Sequence, residues 1–188
     1  MRISRVYTRS GDEGETNLAS GDRISKDSLR VCAYGEVDEL NSFLGVARSR
    51  IADAGLQQLL EQIQNDLFLL GADLATPAPK PESNKPDPIR RTAPAEVERL
   101  EKAIDRYNET LPPLEEFILP AGSEAAALLH VARAVARRAE RQAVCLAQAE
   151  KINPQVIVYL NRLSDLLFVL ARVVNRQGGS SEVFAQFS

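Results

Sequence analysis

Residues 123–150, SEAAALLHVARAVARRAERQAVCLAQAE, contain neither Gly nor Pro and are dense in Ala, Leu, Arg, Gln and Glu. These are strong helix formers, and a stretch of this length without a breaker leaves little choice but one long helix. Ser123 followed by Glu124, after a Pro-Ala-Gly turn, supplies its start. At about 100° per residue, Leu128, Ala132, Val135, Ala136, Ala139, Ala143 and Leu146 share one side. His130, Arg133, Arg137, Glu140 and Arg141 share the other, with Arg138 beside them. Like charges at i, i+4 each cost roughly 0.2–0.5 kcal/mol in an isolated helix. A helix face that stacks arginines this way pairs with acids of a neighbouring helix or awaits an anion. Arg suits the second role because its planar fork stays charged and grips phosphate or carboxylate bidentately. The helix alone does not choose between these readings.

Composition narrows the partners. The 188-residue chain is 44% hydrophobic and 26% charged, the balance of a soluble globular domain with a sizeable core. Its formal net charge of −3 argues against a general nucleic-acid binder. Cys32 and Cys145 are too few for a disulfide scaffold and lack zinc spacing, which fits reduced thiols in the cytoplasm. The N-terminal residues have no apolar core of a signal peptide, and no apolar run is long enough to span a membrane.

Taken in order, residues 1–26 read as an irregular loop, with Gly11, Gly14 and Gly21 among Thr8, Ser10, Thr16 and Asn17. Plain turns account for it as a pattern, but Arg9, Arg23 and Lys26 flank the glycines and suit phosphate. The Gly-Lys-Ser/Thr ending of a Walker loop is missing. Residues 27–54 read as a helix with a kink at Gly35, its acids Glu36, Asp38 and Glu39 serving the dipole of a first turn. Asp38 alternatively reaches across to an arginine. A second helix covers 56–75, with Leu59, Leu60, Ile63, Leu67, Leu70 and Leu74 as its stripe.

Prolines crowd residues 76–94, which excludes helix and central strand and marks a linker within one bundle. A third helix is expected over 95–111 and a short apolar connection carrying Phe117 over 114–122. Asn153-Pro154 opens a fifth helix over 155–177, interrupted by polar Asn161, Arg162 and Asp165. Residues 178–188 are expected to be a flexible tail, with Phe184 and Phe187 available to dock it. The whole reads as an all-α, five-helix bundle in a single domain, 1–188, with an irregular N-terminal loop.

The blocks YTRSGDEGETNL, RVCAYGEVDELNSFLG, FILPAGS, HVARAVARRAER and YLNRLSDLLFVLAR, in this order, closely resemble the PduO-type ATP:cob(I)alamin adenosyltransferases. The resemblance spans most of the chain. It implies a five-helix homotrimer with ATP bound between subunits, transferring the 5′-deoxyadenosyl group of ATP to reduced cobalamin and releasing triphosphate. It places the nucleotide loop on Thr8, Arg9, Ser10, Gly11, Thr16 and Asn17, and the phosphate lysine on Lys26. Around the nucleotide it adds Arg137, Arg138, Glu140, Arg141 and Asn161. It puts an intersubunit salt bridge on Asp38 and Arg133, and the aromatic that displaces cobalamin's lower ligand on Phe117. No metal ligands are assigned, and Mg²⁺ is expected to be held mainly by the ATP phosphates. A cobalamin reductase and an adenosylcobalamin-dependent enzyme are the implied protein partners. Ala121 in LPAGS is a small departure, and the proline-rich linker and the tail match nothing in the family.

The residues agree with this chemistry. Cobalt(I) is itself a strong nucleophile, so no catalytic serine, cysteine or general base is needed, and none is evident. His130 reads as structural rather than as a cobalt ligand. Two other classes stay open at this level: an ATP-binding regulatory bundle without transferase activity, and a structural bundle whose arginines only pair with acids.

Overall fold

The computed structural model describes residues 7, 9–18, 21–79, 87 and 89–187. Thr8 and residues 80–86 of the proline-rich linker lie outside them. Helix α1 (Leu29–Arg48) is capped by Ser28, whose Oγ accepts from the Val31 amide. Asp53 caps α2 (Ala54–Ala75) in the same way, and Asn153 caps α5 (Pro154–Gln177) with Pro at its first position. Helix α3 (Pro94–Asn108) also starts on a proline, and Glu96 reaches back to the Ala93 amide at 2.7 Å. Helix α4 (Glu124–Ala149) is the arginine-bearing stretch, capped by Ser123.

Helix α4 packs against both α1 and α5, while α2 lies on α1 and α3 on α5. Its buried face is alanine-rich (Ala126, Ala132, Ala136, Ala139, Ala143), which lets the two flanking helices approach closely. The core closes around it with Leu40 and Leu44 of α1, Leu60 and Leu67 of α2, and Leu160, Leu163 and Leu167 of α5. Burying such a side chain contributes about 1.5–3 kcal/mol, so the apolar stripes read from the sequence hold the bundle.

Several expectations change. Helix α1 starts at Leu29 and runs unbroken through Gly35, so Glu36, Asp38 and Glu39 lie beyond its first turn and do not serve the helix dipole. The N-terminal segment is not all loop: β1 (Glu15–Asn17) and β2 (Arg23–Ser25) form an antiparallel ribbon, Thr16 opposite Ile24. His130 is buried rather than on the open side of α4. Within the expected flexible tail, Phe184 bridges Ile118, the Leu119 amide donates to Val183 O, and the Ala185 amide donates to Phe117 O. Among the described residues no helix is long and apolar enough to cross a membrane.

Candidate functional site

The open side of α4 divides its arginines. Arg138 is spent within the chain: its Nε donates to Glu36 at 2.5 Å and its Nη2 to Glu39 on α1. These contacts hold the guanidinium pKa above its ordinary value. Arg137 and Arg141, one turn apart and exposed, form no ion pair or hydrogen bond among the described residues. Two open cations beside a neutralised one concentrate positive charge on this face, with neither joined in an ion pair among the described residues.

Glu140 and Asn161 meet across α4 and α5, Nδ2 of the amide donating to Oε1 at 3.1 Å. Asn161 Oδ1 in turn accepts from Arg162, which also pairs with Glu101 at 2.8 Å. The interrupting polar residues of α5 are thus joined to the arginine helix.

In the N-terminal segment, Arg9 holds a left-handed backbone (φ 61°) that a side chain of this size rarely adopts. Lys26 turns back on the loop, its Nζ donating to Gly11 O at 2.7 Å. A Cβ on Gly11 would stand 3.0 Å from that Nζ and 3.2 Å from Glu15 O, so any larger residue here would press the lysine or the strand aside by a few tenths of an ångström. Arg23 braces the ribbon through Glu15 at 2.5 Å and donates to Ser10 O. Thr16 and Asn17 lie in β1. Among the described residues no hydrogen bond or ion pair joins Arg137 or Arg141 to this loop.

The connection before α4 lines a cavity of about 520 Å³ with Leu114, Phe117, Ile118, His130, Arg133 and Phe168. Phe117 is 77% exposed and meets Phe187 of the tail edge to face, ring centres 6.3 Å apart. His130 packs its ring on Phe168 at 6.1 Å, and neither ring nitrogen has a hydrogen-bond partner among the described residues. Burial, then the Arg133 charge, hold its pKa below the ordinary value. Arg133 Nε is buried and likewise has no hydrogen-bond partner among the described residues. Asp38 is exposed on α1 beside a second cavity, of about 410 Å³, with Tyr34, Leu67 and Phe68. Asp38 and Arg133 therefore do not meet within one chain.

Sequence reasoning did not single out Phe168 as a cavity residue, nor the contact of Phe187 with Phe117. A signal existed for the first, since Phe168 follows Asn161 by seven residues, two turns along one face of a helix. Among the described residues no group of three or more His, Cys, Asp or Glu side chains is arranged to hold a metal.

The family model described as cobalamin adenosyltransferase matches residues 6–174. The chain belongs to the cobalamin adenosyltransferase family. It is 48% identical over 181 residues to the corrinoid adenosyltransferase of Mycobacterium leprae, covering 93% of each chain. It is 46% identical over 186 residues to the cobalamin adenosyltransferase of Cupriavidus metallidurans, covering 98% of this chain and 96% of the relative. Among solved structures it resembles a phenylalanine-to-alanine variant of the PduO-type ATP:corrinoid adenosyltransferase from Lactobacillus reuteri, complexed with cobalamin and ATP. That match has a TM-score of 0.89, 40% identity, and covers 97% of this chain and 100% of the other. An arginine-to-lysine variant of that type from the same organism, complexed with ATP, matches with a TM-score of 0.85 and 42% identity, covering 96% and 100%. The family match takes in the arginine face, the Phe117 cavity and the loop, and ends before the docked tail.

Proposed function

We propose that Arg137 and Arg141 hold the triphosphate of ATP and that the Phe117 cavity takes the corrinoid, in an enzyme that transfers the 5′-deoxyadenosyl group of ATP to cob(I)alamin. The observation that carries this division is the pair of open, unneutralised arginines on α4 in a chain of this family. In the transfer the cobalt(I) electron pair forms the bond to C5′, the C5′–O bond breaks, and the electrons leave with triphosphate. Such a displacement needs the leaving group held in line and its growing charge neutralised, which is positioning plus electrostatics. Arg137 and Arg141 supply fixed positive charge at the leaving group. Asn161 orients Glu140 beside them, and Arg138 pins α4 to α1 through Glu36 and Glu39.

The loop of Arg9, Ser10, Gly11, Thr16 and Asn17, with Thr8, is the proposed phosphate cradle, and Lys26 leaves Gly11 O to join the triphosphate. The side chains present fit a magnesium ion whose ligands come mainly from ATP phosphate oxygens. Bound there, it would neutralise phosphate charge. Because no hydrogen bond or ion pair ties the loop to the arginines among the described residues, the reading places ATP between neighbouring subunits of a homotrimer. Asp38 of one subunit would then reach Arg133 of the next. A cytoplasmic location, a cobalamin reductase and an adenosylcobalamin-dependent enzyme as partners complete the proposal.

Incubating the purified protein with ATP, Mg²⁺ and chemically reduced cobalamin tests it. Adenosylcobalamin and triphosphate are expected in equal amounts. Arg137→Ala and Arg141→Ala that both turn over normally would overturn the assignment of the arginines.

A further inference from the structure

The segment that carries Phe117 is not held by its own apolar side chains. Phe117 is 77% exposed and Leu119 46%, so burial fixes neither. Its two ends are instead tied to one face of α5 by Arg172 and Asn175, three residues apart and both buried. Asn175 Nδ2 donates to Ala121 O at 2.9 Å, while its Oδ1 accepts from the Ser123 amide at 2.9 Å. Gly122 sits between them in a left-handed conformation (φ 114°), pressed against that amide. Arg172 Nη2 donates to Pro112 O at 2.8 Å, at the opposite end of the segment.

The same guanidinium reaches the tail, Nε donating to Glu182 Oε1 at 2.5 Å and Nη2 to Oε2 at 3.3 Å. The next residues of the tail are those whose backbone pairs with the segment: Leu119 N to Val183 O at 2.7 Å and Ala185 N to Phe117 O at 2.8 Å. Arg172 is thus linked to the segment by two routes, directly at Pro112 O and through Glu182 and the tail. A buried guanidinium is costly to keep without partners, and these are the partners it has.

We propose that Arg172 and Asn175, with Glu182, are positioning residues that set the Phe117 ring for its work on the corrinoid, although none of them reaches a substrate. The inference rests on the reading of Phe117 as the residue that displaces the cofactor's lower ligand. Displacement depends on placing the ring within a fraction of an ångström, and a shift of about 1 Å at a reacting group can cost on the order of 100-fold. The fork geometry of Arg172 matters here, because only a planar, multiply donating group serves Pro112 O and both Glu182 oxygens at once.

The test compares Glu182→Ala, Asn175→Ala and Arg172→Lys with Phe117→Ala, in the full chain. Three quantities are read: ATP affinity, transfer from chemically reduced cob(I)alamin, and the fraction of four-coordinate cob(II)alamin with ATP bound. In Glu182→Ala the four-coordinate fraction and the rate starting from cob(II)alamin are expected to fall on the order of tenfold. ATP affinity and transfer from cob(I)alamin should stay near the parent's. Glu182 is a tail residue outside the core, so this variant stays informative even if Asn175→Ala or Arg172→Lys fails to fold. A parental four-coordinate fraction in Glu182→Ala, with the signal lost in Phe117→Ala, overturns the positioning role alone. A parental fraction in Phe117→Ala overturns the reading of Phe117 and this inference with it. Loss of ATP affinity in step with the four-coordinate signal would show a merely structural role and also overturn it.

Discussion

At Gly122 the backbone takes φ 114°, and an added Cβ would fall 2.1 Å from Asn175 Oδ1. Either feature alone disfavours a side chain, and a strained backbone position costs about 1–3 kcal/mol. Gly122→Ala is therefore expected to lower unfolding free energy by at least that much, measured by urea denaturation. Asn175→Ala should relieve the clash but not the backbone strain. The open arginines make a different kind of prediction. Each loses a charge-assisted contact worth roughly 1.5–3 kcal/mol when truncated, a fall in turnover between about tenfold and a hundredfold. Urea midpoints should barely move, because Arg137 and Arg141 support nothing in the fold. Sequence reasoning picked out Arg133, Arg137 and Arg141 because their spacing stacks like charges. It grouped Arg138 with them, for nothing local reveals that Glu36 and Glu39 on another helix neutralise it. His130 was misplaced for a similar reason: angular position on a wheel does not report that Phe168 covers it.

At the scale of elements, helices were legible and their fastenings were not. Among the described residues of 76–94 only Pro94, the first residue of α3, is helical, and the crowded prolines gave no hint of the clasp formed there. Arg91 donates to Asp73 Oδ1 at 2.8 Å, and to the carbonyls of Thr76 at 2.8 Å and Pro77 at 3.0 Å. The other Asp73 oxygen accepts from the Thr92 amide at 2.9 Å and from Asn153 at 2.7 Å. This carboxylate joins the end of α2, the linker and the cap of α5, so Asp73→Ala should cost on the order of 3–5 kcal/mol. Helix α3 is fastened by acids as well: Asp66 receives Arg99 at 3.0 Å through both oxygens, and buried Glu96 receives Arg90 and Arg99. Burial alone would raise the Glu96 pKa, but the Ala93 amide and the charges of Arg90 and Arg99 outweigh it and bring it below the usual 4.5. A depressed carboxyl pKa stabilises the fold above the unfolded value, and that stability is lost as pH falls through the folded one. Stability should thus drop below about pH 4.5, with Glu96→Gln flattening that part of the curve in denaturant titrations.

The whole molecule adds what no single chain satisfies. Fold class followed from five apolar stripes at helical period, and the β ribbon escaped because strands of three residues are too short to show alternation. Assembly entered only through the family resemblance, since one chain's periodicity says nothing about a neighbour. The folded chain, however, leaves complementary debts on opposite helices. Arg133 keeps a buried guanidinium nitrogen without a partner on α4, a loss of about 1–3 kcal/mol while it lasts. Asp38 stands exposed on α1, beside Phe68, which is itself 70% exposed. In the proposed trimer a neighbouring chain brings that carboxylate to that guanidinium, dries both, and covers the phenylalanine. Removing one member of such a buried pair strands the other, at on the order of 3–5 kcal/mol. Asp38→Asn and Arg133→Ala are accordingly expected to weaken the trimer in sedimentation equilibrium and to lower transfer together. Exchanging the charges, Asp38→Arg with Arg133→Asp, should recover assembly that either single exchange loses, because the pair's attraction survives the swap while its surroundings change. Trimers as tight as the parent's in both single variants would mean that the two side chains do not meet across subunits.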